Sequence, residues 1–169
     1  MFLFLGTFLN CKSQQVTSYW TSVENSKNKI ILNKSSQRTN FPKEFKLFEL
    51  NVASFKETIF KAVGNKNSIQ IVLPNSKGQF ETFEVFESSG FAPELQAQFP
   101  DLRSFTGKGI TDNFANVTIS YSPNGINVMI LRADKPSEFI EAYSEDYKIY
   151  AVFNKSDKDP NWNCTTPVR

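Results

Sequence analysis

Histidine is absent from all 169 residues. It is the usual general base near neutral pH and the commonest zinc ligand, so a Ser-His-Asp triad, a Cys-His pair and an HExxH zinc site are all excluded within this chain. The chemistry that remains would use paired carboxylates, Lys or Tyr, and no spacing in the sequence groups them. No catalytic residue, no resident metal and no cofactor are therefore expected here. A dominant charge is lacking too: 19 basic against 17 acidic residues leave a net charge of +2, spread too thinly for a nucleic-acid surface. There is no apolar run long enough to span a membrane, the longest being the start of the chain, MFLFLGTFL.

What is present in quantity is aromatic. Seventeen Phe, 14% aromatic residues and 40% hydrophobic residues exclude disorder for most of the length, and the size suits one domain with tails. The apolar start has the length of a signal-peptide core, although no Lys or Arg precedes it, so residues 1–15 are expected to be a signal and the protein to be secreted. Cys11 just after it is a candidate for lipidation, the one route by which a membrane enters the account. Residues 16–44 are polar, with Tyr19-Trp20 and Ile30-Ile31-Leu32 as apolar islands, and read as an extended lead-in whose islands dock on the domain.

The folded part is expected over 45–154, around the stretch from Ser104 to Tyr121 and its partner Ile126–Leu131. Val117, Ile119 and Tyr121 alternate with Thr118 and Ser120, the period of a half-buried strand. Ser122-Pro123-Asn124-Gly125 supplies turn chemistry, and Gly107-Lys108-Gly109 marks a bend or a close backbone approach. Upstream, Phe45–Leu50 reads as a strand. Ser54-Phe55-Lys56-Glu57 has capping-box spacing, Phe55, Ile59 and Val63 form a helical stripe, and Gly64 supplies the stop. Ser68–Leu73 and Gln79–Phe86 flank the turn formers of residues 74–78 as a second hairpin, with a bulge expected between Phe80 and Phe83. Two prolines bracket a short helix over 91–100, and Glu138–Tyr143 and Tyr147–Phe153 close the set. About seven strands to two helices with short links implies an α+β fold: mainly an antiparallel β-sheet or sandwich with one or two short helices packed on it. Residues 155–169 form a polar tail.

The ordered set Phe48-Glu49-Leu50, Leu73-Pro74-Asn75, Phe91-Ala92-Pro93-Glu94-Leu95, Phe105 to Ile110 and Met129-Ile130-Leu131 resembles the propeptide region of secreted bacterial reprolysin-like zinc metalloproteases, over about Trp20 to Phe153. The resemblance implies a pro-segment that assists folding of a catalytic domain and covers its cleft until removed. The partner so implied is the cognate metalloprotease catalytic domain, in cis, and the zinc would belong to that domain. Cys164, in Trp162-Asn163-Cys164-Thr165, then becomes the candidate inhibitory zinc ligand, a thiolate in the position of the attacking water. It equally fits a disulfide to a Cys outside this chain, or a plain thiol.

Other patterns carry less. Gly107-Lys108-Gly109 lacks phosphate-loop spacing. Glu145-Asp146, Asp157 and Asp159 lack a calcium-loop pattern and read as turn charges. Asn33, Asn116, Asn154 and Asn163 each open an Asn-x-Ser/Thr triplet, which matters only in a glycosylating host. The rival to a pro-segment is a β-rich binding module, secreted or held at a surface by a lipidated Cys11.

Overall fold

A computed structural model describes residues 19–23, 42, 44–64 and 67–154. Nine strands form one antiparallel sheet: β1 (Trp20–Ser22), β2 (Lys46–Leu50), β3 (Ile69–Pro74), β4 (Phe80–Glu87), β5 (Arg103–Gly109), β6 (Ala115–Ser122), β7 (Gly125–Arg132), β8 (Glu138–Ala142) and β9 (Ile149–Asn154). Their order is β1-β2-β9-β8-β7-β6-β5-β4-β3, so β3 to β9 run as a meander and β2 returns to pair with β9. The expected α+β class with a mainly antiparallel sheet holds, as a single curled sheet and not a sandwich.

The sheet curls until its terminal strands face each other. On β3 the N–H and C=O of Val72 point away from β4 and would be left unpaired at a sheet edge. Two side chains from β1's end of the sheet satisfy them: the Val72 N–H donates to the Tyr19 hydroxyl at 2.9 Å, and the Trp20 indole donates to the Val72 carbonyl at 3.1 Å. Both rings meet Phe55 edge-on, with centroids 5.1 and 6.4 Å away. The Tyr19-Trp20 island thus docks as expected, and as a strand. Ile30-Ile31-Leu32 lies outside the described residues.

Alternation decides what fills the barrel. Phe83 and Val85 on β4, Phe105 on β5, Val117 and Ile119 on β6, Val128 and Ile130 on β7, Ile140 on β8 and Tyr150 and Val152 on β9 share one buried cluster. Fully burying a side chain of this size contributes about 1.5–3 kcal/mol. On the opposite face of β2 and β9, Leu47, Ala151 and Phe153 form a second, smaller apolar group. The central core thus lies on the Tyr150 side of β9.

Helix α1 (Val52–Ile59) links β2 to β3 and sends Phe55 and Ile59, both fully buried, into the core at one end of the barrel. Its cap differs from expectation. Asn51, not Ser54, is the N-cap, its side chain accepting from the Ser54 N–H at 3.1 Å. A 3-10 turn, Phe60–Ala62, then tightens the helix, so Ala62 is buried fully while Val63 is only partly covered. Gly64 stops it at φ +69° as expected.

The β4 bulge is not present. Pairing with β3 runs unbroken from Ile69↔Val85 to Pro74↔Phe80. The irregular pattern arises because Glu81 shares the inward parity of Phe83 and Val85, while Phe80 and Phe86 are exposed. Gly107 makes the expected close approach: a Cβ there would lie 2.0 Å from the Glu84 carbonyl oxygen, so only Gly fits this turn of the barrel wall.

Candidate functional site

A meander has two ends. The links β3–β4, β5–β6 and β7–β8 lie at one; β4–β5, β6–β7, β8–β9 and α1 lie at the other. Each end carries one feature that the core does not explain.

The first is a charged floor. Arg132, on the inward parity of β7, has an almost wholly buried side chain. Its guanidinium reaches Glu81 on β4 at 2.7 Å, Glu138 on β8 at 2.8 Å and Asp112 in the β5–β6 link at 2.9 Å. Glu138 also accepts from the Ser76 hydroxyl and N–H, at 2.6 and 3.1 Å, and Glu81 from the Asn75 amide at 2.7 Å. Lys135 reaches Asp112 at 3.1 Å. Burial pushes the Glu138 carboxyl up, but its bonds to Arg132 and Ser76 outweigh this and hold it below the usual range. Asp112 is held low first by Lys135, then by the Phe114 N–H. The sequence showed this site only as four charges at strand ends. Its one legible signal was parity, which puts Glu81, Arg132 and Glu138 on the faces that carry the core residues.

The second feature is the β4–β5 excursion, residues 88–102, with α2 (Pro93–Gln98) inside it. The expected two-proline helix is there, Pro93 opening it, yet none of its residues is buried. Leu95 within α2, Phe91 just before it and Phe99 at its C-cap are each 40–48% exposed, as is Phe86 on β4. The excursion is nonetheless held firmly by polar contacts. The Gln96 amide donates to the Phe99 and Leu102 carbonyls at 2.8 and 3.0 Å. Arg103 donates to the Pro100 carbonyl at 2.8 Å and pairs with Glu87 at 2.7 Å, and Lys56 of α1 pairs with Asp101 at 2.9 Å. Polar groups fix the backbone while apolar side chains face outward.

Several ionisable groups among the described residues are perturbed. The Asp101 bond raises Lys56, burial outweighs the Val72 bond to push Tyr19 up to about 12, and burial likewise carries Tyr150 to about 12. Glu87, Glu138, Asp112 and Asp146 all move down. Every one of these shifts leads away from neutrality.

Of the residues singled out by sequence, Cys11, Cys164, Asp157, Asp159, Asn33 and Asn163 lie outside the described residues. Gly107-Lys108-Gly109 lies within β5 with Lys108 exposed. Asp146 accepts from the Lys148 N–H at 3.2 Å and so shapes the β8–β9 turn beside Tyr147, whose φ is +57°. Asn116 is exposed on β6. Among the described residues no three His, Cys, Asp or Glu side chains are placed to hold a metal ion, and no helix is long and apolar enough to cross a membrane. Compared with protein-family models, with curated proteins and with solved structures, the chain has no match.

Proposed function

We propose that the chain is the pro-segment of a secreted zinc metalloprotease precursor, which assists folding of the catalytic domain and keeps it latent by covering its cleft. The observation that carries the reading is the set of exposed apolar residues on the anchored β4–β5 excursion, Phe91, Leu95 and Phe99. It contributes nothing to the barrel core yet is fixed by Gln96, Arg103 and Lys56, as a surface built to meet another protein would be. The absence of histidine from the chain and the displacement of its perturbed acids and bases from neutrality agree with a partner of an enzyme. On this reading the zinc belongs to the partner. Cys164, in the polar tail beyond β9, would supply a thiolate to its open position, since zinc binds thiolate well and lowers the thiol's pKa.

The test is inhibition of the separately made catalytic domain of the same precursor. Wild-type chain is expected to inhibit, and a Phe91→Ser/Leu95→Ser/Phe99→Ser variant to weaken inhibition by at least about tenfold, since anchors of this size contribute about 1–2 kcal/mol each. Cys164→Ser weakens it further if the thiol sits on zinc; equal potency removes the thiol from the mechanism. Failure of the folded wild-type chain to inhibit would leave the rival binding module as the better account.

A further inference from the structure

The floor of the barrel has one member that cannot adapt. A carboxylate losing its environment can take up a proton, but a guanidinium stays charged at any accessible pH. Arg132 has a side chain only 3% exposed, and its charge is tolerated because Glu81, Glu138 and Asp112 surround it. We propose that this cluster is an acid-released clasp: as the carboxylates around Arg132 become protonated, this end of the barrel opens to let water reach the guanidinium, ahead of the rest of the fold.

The charged groups facing the clasp are Glu81 from β4, Asp112 from the β5–β6 link, Glu138 from β8 and Lys135 from the β7–β8 link, with Asp134 beside Lys135. Lys46 of β2 lies against Gly78 in the β3–β4 link, which itself contributes the neutral Asn75 and Ser76. Two strands and one link thus meet on the guanidinium, and two further links reach its carboxylates. Lowered folded values make the sign definite. The stability that Glu138 and Asp112 supply is complete above the ordinary value, 4.5 for Glu138, and is lost as the pH falls through the lower folded value. At the opposite end the comparable pair, Arg103 with Glu87, has one carboxylate and both side chains 16% exposed, so Arg103 can turn into water without opening the wall.

The position gives the clasp a consequence. Glu138 stands opposite Asn154, the last residue of β9, so opening here frees the point where the chain leaves the barrel. Acid would thereby loosen the end of β9 at Asn154, whether or not the chain is a pro-segment.

Amide-resolved hydrogen exchange of the full chain, stepped from pH 7 to pH 3 and corrected for intrinsic rates, tests this. Amides of 130–132, 138–140 and 152–154 are expected to lose at least tenfold in protection before those of 105–107, 119–121 and 126–128 change. Simultaneous loss, or loss beginning in the second group, overturns the proposal. A Glu81→Gln/Glu138→Gln variant removes two of the titrating groups while keeping their shape. Its first group of amides is expected to be less protected at pH 7 and nearly independent of pH down to pH 4; a wild-type profile in this variant would also overturn it. Should that variant not fold, the wild-type series decides alone.

Discussion

Replacing Tyr19 by Phe removes a single oxygen and tests how the sheet is closed. The ring would keep its edge-on contact with Phe55, 5.1 Å between centroids, so the change isolates the bond that the hydroxyl accepts from the Val72 N–H at 2.9 Å. That amide is buried and points to the gap between β3 and β1, where no backbone acceptor replaces the oxygen. A buried donor left unpaired costs about 1–3 kcal/mol. For a chain of this length that is a fall in Tm of about 2–4 °C per kcal/mol. In urea the midpoint should drop with an unchanged slope, since the surface exposed on unfolding is nearly the same. Trp20→Phe removes the donor to the carbonyl of the same residue. A double-mutant cycle should therefore show coupling of at least about 0.5 kcal/mol. Alkali gives a second readout. Burial raises Tyr19 from 10.0 to about 12, so its contribution is complete below pH 10 and is lost as the pH rises through about 12. A rise of this size corresponds to about 3 kcal/mol. The Phe variant should lose that part of the alkaline slope and keep the part due to Tyr150. An unchanged midpoint together with an unchanged alkaline slope would refute closure of the barrel through Val72.

Gly107→Ala must drive a methyl into the Glu84 carbonyl 2.0 Å away and is expected to destabilise by about 3 kcal/mol or more, whereas Gly90→Ala, with nothing within 4 Å, should stay within about 0.5 kcal/mol; thermal melts of the pair check this. Arg132→Met leaves Glu81 and Glu138 facing each other without their cation, and chemical denaturation at pH 7 should show a loss of about 3–5 kcal/mol. The Phe91→Ser/Leu95→Ser/Phe99→Ser variant, by contrast, should melt within a few degrees of wild type, because none of these side chains is buried. A large loss of stability there would show the excursion to be part of the core and not a contact surface.

Most of the architecture could be read from period and punctuation. Val117, Ile119 and Tyr121 with the Pro123-Asn124-Gly125 turn gave β6 and β7, and Gly125 does carry the positive φ, at +97°. Two prolines gave α2. Three things were hidden, one by a competing local pattern and two because a long-range contact decided the structure. Asn51 looked like an ordinary polar residue after a strand, and the Ser54 pattern three residues later drew attention from it. Glu81 interrupted the apolar parity of β4, and without Arg132 as partner its inward position resembled a bulge. A three-residue strand at Trp20 is too short to show periodicity, and what fixes it is an edge more than fifty residues away on β3. The exposure of Leu95 and Phe99 was hidden in another way: an apolar residue is no guide to its own burial, and only the fold shows that they face out.

The central functional claim is that this chain works as the silencing segment of a protease. Sequencing the intact transcript through the codon for Arg169 tests it most directly. The account predicts an open frame that continues into a domain carrying HExxH within about the next two hundred residues, the size of a zinc-peptidase domain. A stop codon directly after Arg169, with no peptidase joined to the segment in any intact copy, would contradict it.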